Sequence, residues 1–149
     1  MILPAHVYYP PIVRLLKMRA DKQLERALKV LGPLEARIMR PVWAGSVPEP
    51  FTVRDIQKIT PKLAYTTLMT TLSRMAEKGL LTQDRVASQR AFQYRAAGTA
   101  ADYLATASRE HANRMLKQFG DAALAAFAAH LDELPRDQRE RLRRAASRE

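Results

Sequence analysis

The stretch from Leu63 to Gly79, LAYTTLMTTLSRMAEKG, constrains the fold more than any other part of the chain. Leu68, Leu72, Met75 and Ala76 recur at helical spacing as one apolar stripe, while Tyr65, Thr66, Thr67, Thr70, Thr71 and Arg74 take the other faces. Threonine loses rotamer freedom in a helix, so a run of threonines points to a task other than helix stability. Hydroxyls and a guanidinium suit phosphates and base edges, and threonine methyls suit the methyl of thymine. The same residues also suit a merely solvated amphipathic helix, so the flanks must decide.

Just upstream, Thr52 and Asp55 have the spacing of a helix cap before a short helix, Val53 to Ile59, with Val53, Ile56 and Ile59 expected to face inward. Thr60, Pro61 and Lys62 form a turn, which makes the pair a helix-turn-helix. Gly79 suits the C-terminal cap of the second helix and Lys78 the negative end of its dipole. Downstream, 80–86 and 90–95 read as strands around the turn Ala87, Ser88, Gln89, with Phe92 and Tyr94 alternating with Ala91, Gln93 and Arg95 as in a half-buried strand. This hairpin carries Arg85, Arg90 and Arg95. The expected fold is therefore mainly α with a small β-hairpin: a winged helix-turn-helix over residues 32–98. Its candidate DNA-binding residues are Lys62, Tyr65, Thr66, Thr67, Thr70, Arg74, Arg85 and Arg90.

Gly32, Pro33 and Glu35 open a helix in cap, first position and first turn, with Leu34, Ile38, Val42 and Trp43 on its apolar side. Pro41 should kink or tighten that helix near its end, and residues 44–50 read as a loop. Before it, residues 1–31 form a basic extension. Pro4, Pro10 and Pro11 forbid an early helix, and 12–31 read as a basic amphipathic helix with a break near Ala20 and Asp21. Such a helix can follow a DNA backbone, extend a dimer interface, touch a membrane surface, or pack loosely as an arm.

Residues 99–149 turn helical and alanine-rich. Tyr103, Leu104, Met115, Leu116, Phe119, Leu124, Phe127, Ala128, Leu131 and Leu134 form apolar stripes that a closed winged helix has little room to bury. A homodimer is the expected outlet, with Tyr103, Leu104, Met115, Phe119, Leu124, Phe127 and Leu131 at the interface; a helical cap on the same chain is the alternative. Gly120 marks one helical joint and Pro135 another, before a terminal helix from Arg136 to Ala146. Of the formal charge of +10, residues 1–31 hold +4, residues 32–98 hold +5 and residues 99–149 hold +1. The polyanion-binding end is thus the N-terminal one.

The absence of cysteine excludes disulfides and thiolate metal sites. His6, His111 and His130 show no ligand spacing, and no phosphate loop or nucleophile elbow appears, so neither an enzyme nor a bound metal or cofactor is expected. No run reaches the ~20 apolar residues of a bilayer span, and no signal-peptide core is present. A cytoplasmic protein without membrane insertion is the expectation.

The segments LGPLEARIMRPVWAG, TVRDIQKI, LAYTTLMTTLSRMAEKGLL and FQYRAA, in this order and spacing, resemble the penicillinase-repressor (BlaI, MecI and CopY) family of winged-helix repressors. The resemblance is strong over 31–98 and weaker in the tail. It implies a homodimer that binds dyad operators with TACA and TGTA cores in double-stranded DNA and represses neighbouring genes. It also implies that Thr66, Thr67, Thr70, Arg74 and the wing arginines meet DNA. Copper-responsive members use a C-terminal cysteine cluster that this chain lacks. Antibiotic-resistance members are induced by a membrane sensor protease that cuts after an Asn in the dimerisation region; the sole Asn here, Asn113, is followed by Arg114 rather than Phe. The extension over residues 1–30 is longer than the family pattern. A protein-interaction or unspecific nucleic-acid module on the same scaffold is the alternative.

Overall fold

The computed structural model describes residues 10–88 and 90–147; the expectations on Pro4, His6 and Gln89 lie outside them. The described chain forms α1 (Pro11–Val30), α2 (Pro33–Trp43), α3 (Val53–Ile59), α4 (Tyr65–Glu77), β1 (Leu81–Arg85), β2 (Phe92–Ala96), α5 (Ala100–Phe119), α6 (Asp121–Glu133) and α7 (Arg136–Ala146). It is mainly α with one antiparallel hairpin. Two compact units divide between Ala107 and Ser108.

In the first unit, Ile38 and Met39 of α2, Ile56 of α3, Leu68, Leu72 and Met75 of α4, Leu81, Tyr94 and Phe51 are almost wholly buried and form one core. Each such side chain contributes about 1.5–3 kcal/mol through burial. Met39 lies outside the stripe expected for α2. It is buried because α2 meets both α1 and α4, which widens the face it must cover.

Local chemistry sets the ends of these helices. α2 starts at Gly32 with Pro33 at its first position and Glu35 in its first turn. Pro41 sits inside α2 and the helix stops two residues later, at Trp43. The Pro41 carbonyl accepts from the Ser46 N–H at 2.9 Å, which closes the turn that follows. α3 carries a complete capping box: Thr52 Oγ1 accepts from the Asp55 N–H, and Asp55 Oδ2 accepts from the Thr52 N–H at 2.8 Å. Its hydrogen bonds to Thr52, first the backbone N–H and then the hydroxyl, together with nearby Lys58, outweigh partial burial and hold the Asp55 carboxyl below the usual aspartate range. Thr99 and Asp102 repeat the arrangement before α5, and the Asp102 carboxyl is lowered for the same reason.

Ile59 corrects the sequence expectation: it is 49 % exposed. At about 100° per residue it falls off the stripe set by Val53 and Ile56, and Thr60 takes the inward place instead. Buried Thr60 is satisfied by donating its hydroxyl to the Ile56 carbonyl at 2.8 Å.

β1 and β2 pair from Leu81 opposite Ala96 to Arg85 opposite Phe92. Tyr94 also bridges Phe51, each donating its N–H to the other's carbonyl at 2.8 and 2.9 Å. The hairpin is thereby tied to the helical core by a third backbone segment. Phe92 departs from the half-buried pattern. It stands 40 % exposed beside the hairpin turn, two residues before Tyr94, with the Arg85 guanidinium over its ring, 5.6 Å from the centroid.

α1 is continuous, without the expected break near Ala20 and Asp21, and its C-terminal part packs on α2 through Leu24, Ala27 and Leu28. Arg40 donates from both terminal guanidinium nitrogens to Glu25, and this pairing is the main cause that lowers the Glu25 carboxyl pKa.

In the second unit, Gly120 separates α5 from α6 at φ +56, a backbone conformation that favours glycine. Pro135 precedes α7, where Arg136–Glu140 and Asp137–Arg141 form pairs one turn apart. Among the described residues there is no cluster able to hold a metal ion and no helix long and apolar enough to cross a membrane.

Candidate nucleic-acid interface

The turn between α3 and α4 is short and internally tied. The Leu63 N–H donates to the Thr60 carbonyl at 3.1 Å, and Gln57 Nε2 donates to the Leu63 carbonyl at 3.4 Å. The core fixes α4 by burying Leu68, Leu72 and Met75. At about 100° per residue, Thr66, Thr70, Arg74 and Thr67 then fall within roughly a quarter-turn on the opposite side, and all four are exposed. Their hydroxyls have no partner among the described residues. Thr71 differs: its hydroxyl donates to the Thr67 carbonyl at 2.7 Å, which ties it to its own helix.

Exposed Glu77 lies on the same outward side, one turn beyond Arg74. The anion-seeking part of the face therefore ends at Arg74, in the last turn of α4. The far end is anchored instead. Lys78 Nζ donates to Glu35 at 2.7 Å, and Gly79 at φ +79 lets Leu80 and Gly79 donate back to Met75 and Ala76.

Beside the start of α4, Tyr65 joins Arg54, Gln57, Lys58 and Pro61 around a concave surface. Of these the sequence pointed to Tyr65 but not to Arg54 or Lys58; Lys62, also expected at the interface, is exposed in the turn before α4. The spacing of Arg54 and Lys58, four residues on α3, was the available signal, since it places both cations on one side of that helix. Lys58 keeps Asp55 at 3.7 Å and remains largely exposed.

The hairpin adds Arg85, held over Phe92, exposed Arg90 beside the turn, and Arg95 opposite Thr82. The residues expected at a dimer interface fall into two sets. Tyr103 already packs its ring, tilted, at 5.7 Å from that of Trp43, whose Nε1 donates to the Gly98 carbonyl, and Leu104 is half-buried. Met115, Phe119, Leu124, Phe127 and Leu131 are exposed.

The model of the family described as penicillinase repressor matches residues 31–148. This chain belongs to the penicillinase repressor family. Members of the family are transcriptional repressors and not enzymes. Among curated proteins, the transcriptional regulator BlaI of two Mycobacterium tuberculosis strains, CDC 1551 and H37Rv, is 42 % identical over 67 residues, which is 43 % of this chain and 46 % of theirs. The chain thus spans about half the length of the curated relatives it matches. Among solved structures, MepR, a transcription regulator of the Staphylococcus aureus multidrug efflux pump MepA, is similar at TM-score 0.40 and 12 % identity, over 93 % of this chain and 95 % of that one. A MarR family protein from Bacillus stearothermophilus is similar at TM-score 0.39 and 17 % identity, over 82 % and 86 %. The family match covers α2 to α7 and leaves α1 outside it, apart from the linker at Leu31.

Proposed function

We propose that this penicillinase-repressor family member acts in the cytoplasm as a homodimeric repressor that binds a dyad operator with TACA and TGTA cores. The observation that carries the reading is the outward face of α4. Three threonine hydroxyls without a partner among the described residues, and Arg74, stand opposite a fully buried stripe, on a helix held by a capped α3 and a core-anchored hairpin. Thr66, Thr67 and Thr70 meet base edges and thymine methyls in the major groove, and Arg74 meets a guanine edge or a phosphate. Lys62, Tyr65, Arg85 and Arg90 hold the backbone on either side, with Arg54, Lys58 and Arg95 adding charge.

Residues 99–149 dimerise the chain through the exposed apolar residues of α5 and α6. A twofold pair presents two recognition helices about 34 Å apart or a multiple of that distance. A membrane sensor protease is the candidate inducer; because Asn113 is followed by Arg114, its cut in the dimerisation region would fall at a sequence other than Asn-Phe.

Fluorescence anisotropy of a labelled dyad duplex against a scrambled duplex, over a range of salt, tests the reading. The expected result is preference for the dyad by ~10³ or more at two chains per duplex. Equal, salt-labile binding to both duplexes would overturn it in favour of an unspecific nucleic-acid module.

A further inference from the structure

In α1, every residue from 11 to 23 is exposed, including Ile12, Val13, Leu15, Leu16 and Met18 at 39–68 %. These five spread over roughly 220° of the helix at about 100° per residue. A surface helix needs a narrower apolar stripe, so so broad an arc fits a groove of packed side chains better than a flat lipid surface. The segment 11–23 also carries Arg14, Lys17, Arg19 and Lys22 against Asp21.

α6 has the complementary character. Leu124, Phe127, Ala128 and Leu131 line one side of it, and its charged residues are Asp121, Asp132 and Glu133 with no lysine or arginine. Asp121 and Asp132 flank the apolar side at helical spacing. The exposed part of α1 therefore bears +3 and α6 bears −3, and each helix also carries uncovered apolar groups.

Area points the same way. At roughly 100 Å² each, Met115, Phe119, Leu124, Phe127 and Leu131 supply on the order of 500 Å². A stable interface takes about 800 Å² from each partner. The five apolar residues of α1 make up the shortfall.

We infer that the N-terminal half of α1 docks on α6 of a second copy of this chain, as a basic arm that completes the dimer. The inference rests on the dimeric reading above, and it concerns a segment outside the 31–148 family match. The arm clamps the partner's acidic apolar helix.

The cysteine-free chain makes the test direct. The full chain carrying Leu16→Cys is mixed with tagged full chain carrying Phe127→Cys and treated with a short bis-maleimide; Ser88→Cys replaces Leu16→Cys in the control. A mixed product at the summed mass of the 16.9 kDa chain and the tagged chain, absent from the control, is expected. In sedimentation, Leu16→Glu should raise the dimer dissociation constant at least about tenfold, while urea unfolding followed by Trp43 fluorescence stays as in wild type. Wild type that sediments as a monomer overturns both the arm and the dimeric reading. A dimeric wild type with Leu16→Glu equally dimeric overturns the arm alone, as does cross-linking only within a doubly substituted chain. Flotation of wild type with anionic vesicles, lost in Leu16→Glu with dimerisation unchanged, would overturn it in favour of a membrane surface.

Discussion

Tyr94 is the rivet between the hairpin and the helices, and its removal has a calculable cost. The side chain is 1 % exposed, its ring stacks on Phe51 at 6.1 Å, and its backbone bridges the same residue in both directions. Burial also pushes the phenol pKa up, so the group stays neutral. Tyr94→Ala empties a ring-sized volume in the core, which costs about 3–5 kcal/mol for aromatic truncation. The stacked pair contributes about 0.5–1.5 kcal/mol beyond area burial. The hydroxyl matters less: it accepts from Gln83 Nε2 at a long 3.3 Å, so Tyr94→Phe should cost about 1 kcal/mol or less. A domain stabilised by about 5–15 kcal/mol loses a large share of that in the alanine variant. Urea unfolding followed by Trp43, the single tryptophan, reads this unit directly. A Tyr94→Ala variant within 1 kcal/mol of wild type would show that the turn and strand pairing alone hold the hairpin, and would refute the rivet.

Arg74→Ala should weaken operator binding. If Arg74 meets a base, the preference for the dyad falls by about 1–3 kcal/mol; if it meets a phosphate, the slope of log affinity against log salt drops by about one, and anisotropy titrations with neither change exclude it from the interface. Leu124→Glu combined with Phe127→Glu should yield monomers that keep the unfolding transition seen by Trp43, so a sedimentation profile that remains dimeric would misplace the interface. Gly79→Ala forces a side chain into φ +79 and should destabilise by about 1 kcal/mol in urea, without changing the DNA preference of the folded fraction. The Asp55 carboxyl is lowered in the folded chain, so its contribution is fully present above the unfolded aspartate value of about 3.9 and is lost as pH falls through the lower folded value. The stability gap between wild type and Asp55→Asn should therefore shrink below about pH 4, and a gap constant from pH 7 to pH 2 would mean that the carboxylate charge contributes nothing.

The sequence by itself determined the element boundaries wherever a cap or turn is a matter of four or five consecutive residues. Gly32-Pro33, Thr52 with Asp55, Gly79, Gly120 and Pro135 each start, stop or join a helix where expected, because their hydrogen bonds and dihedrals are local. The outward threonine and arginine face of α4 was legible for the same reason, since helical periodicity alone sets Leu68, Leu72 and Met75 against Thr66, Thr70 and Arg74. Tertiary structure alone decided which apolar residues are covered. Met39 is buried by neighbours on two sides, and Phe92 is left outside while Tyr94 two residues on is sealed against Phe51. It also decided the ties from Glu25 to Arg40 and from Glu35 to Lys78, whose partners lie 15 and 43 residues apart. Burial and such pairings depend on segments brought together only by packing, and no window of local sequence contains both partners.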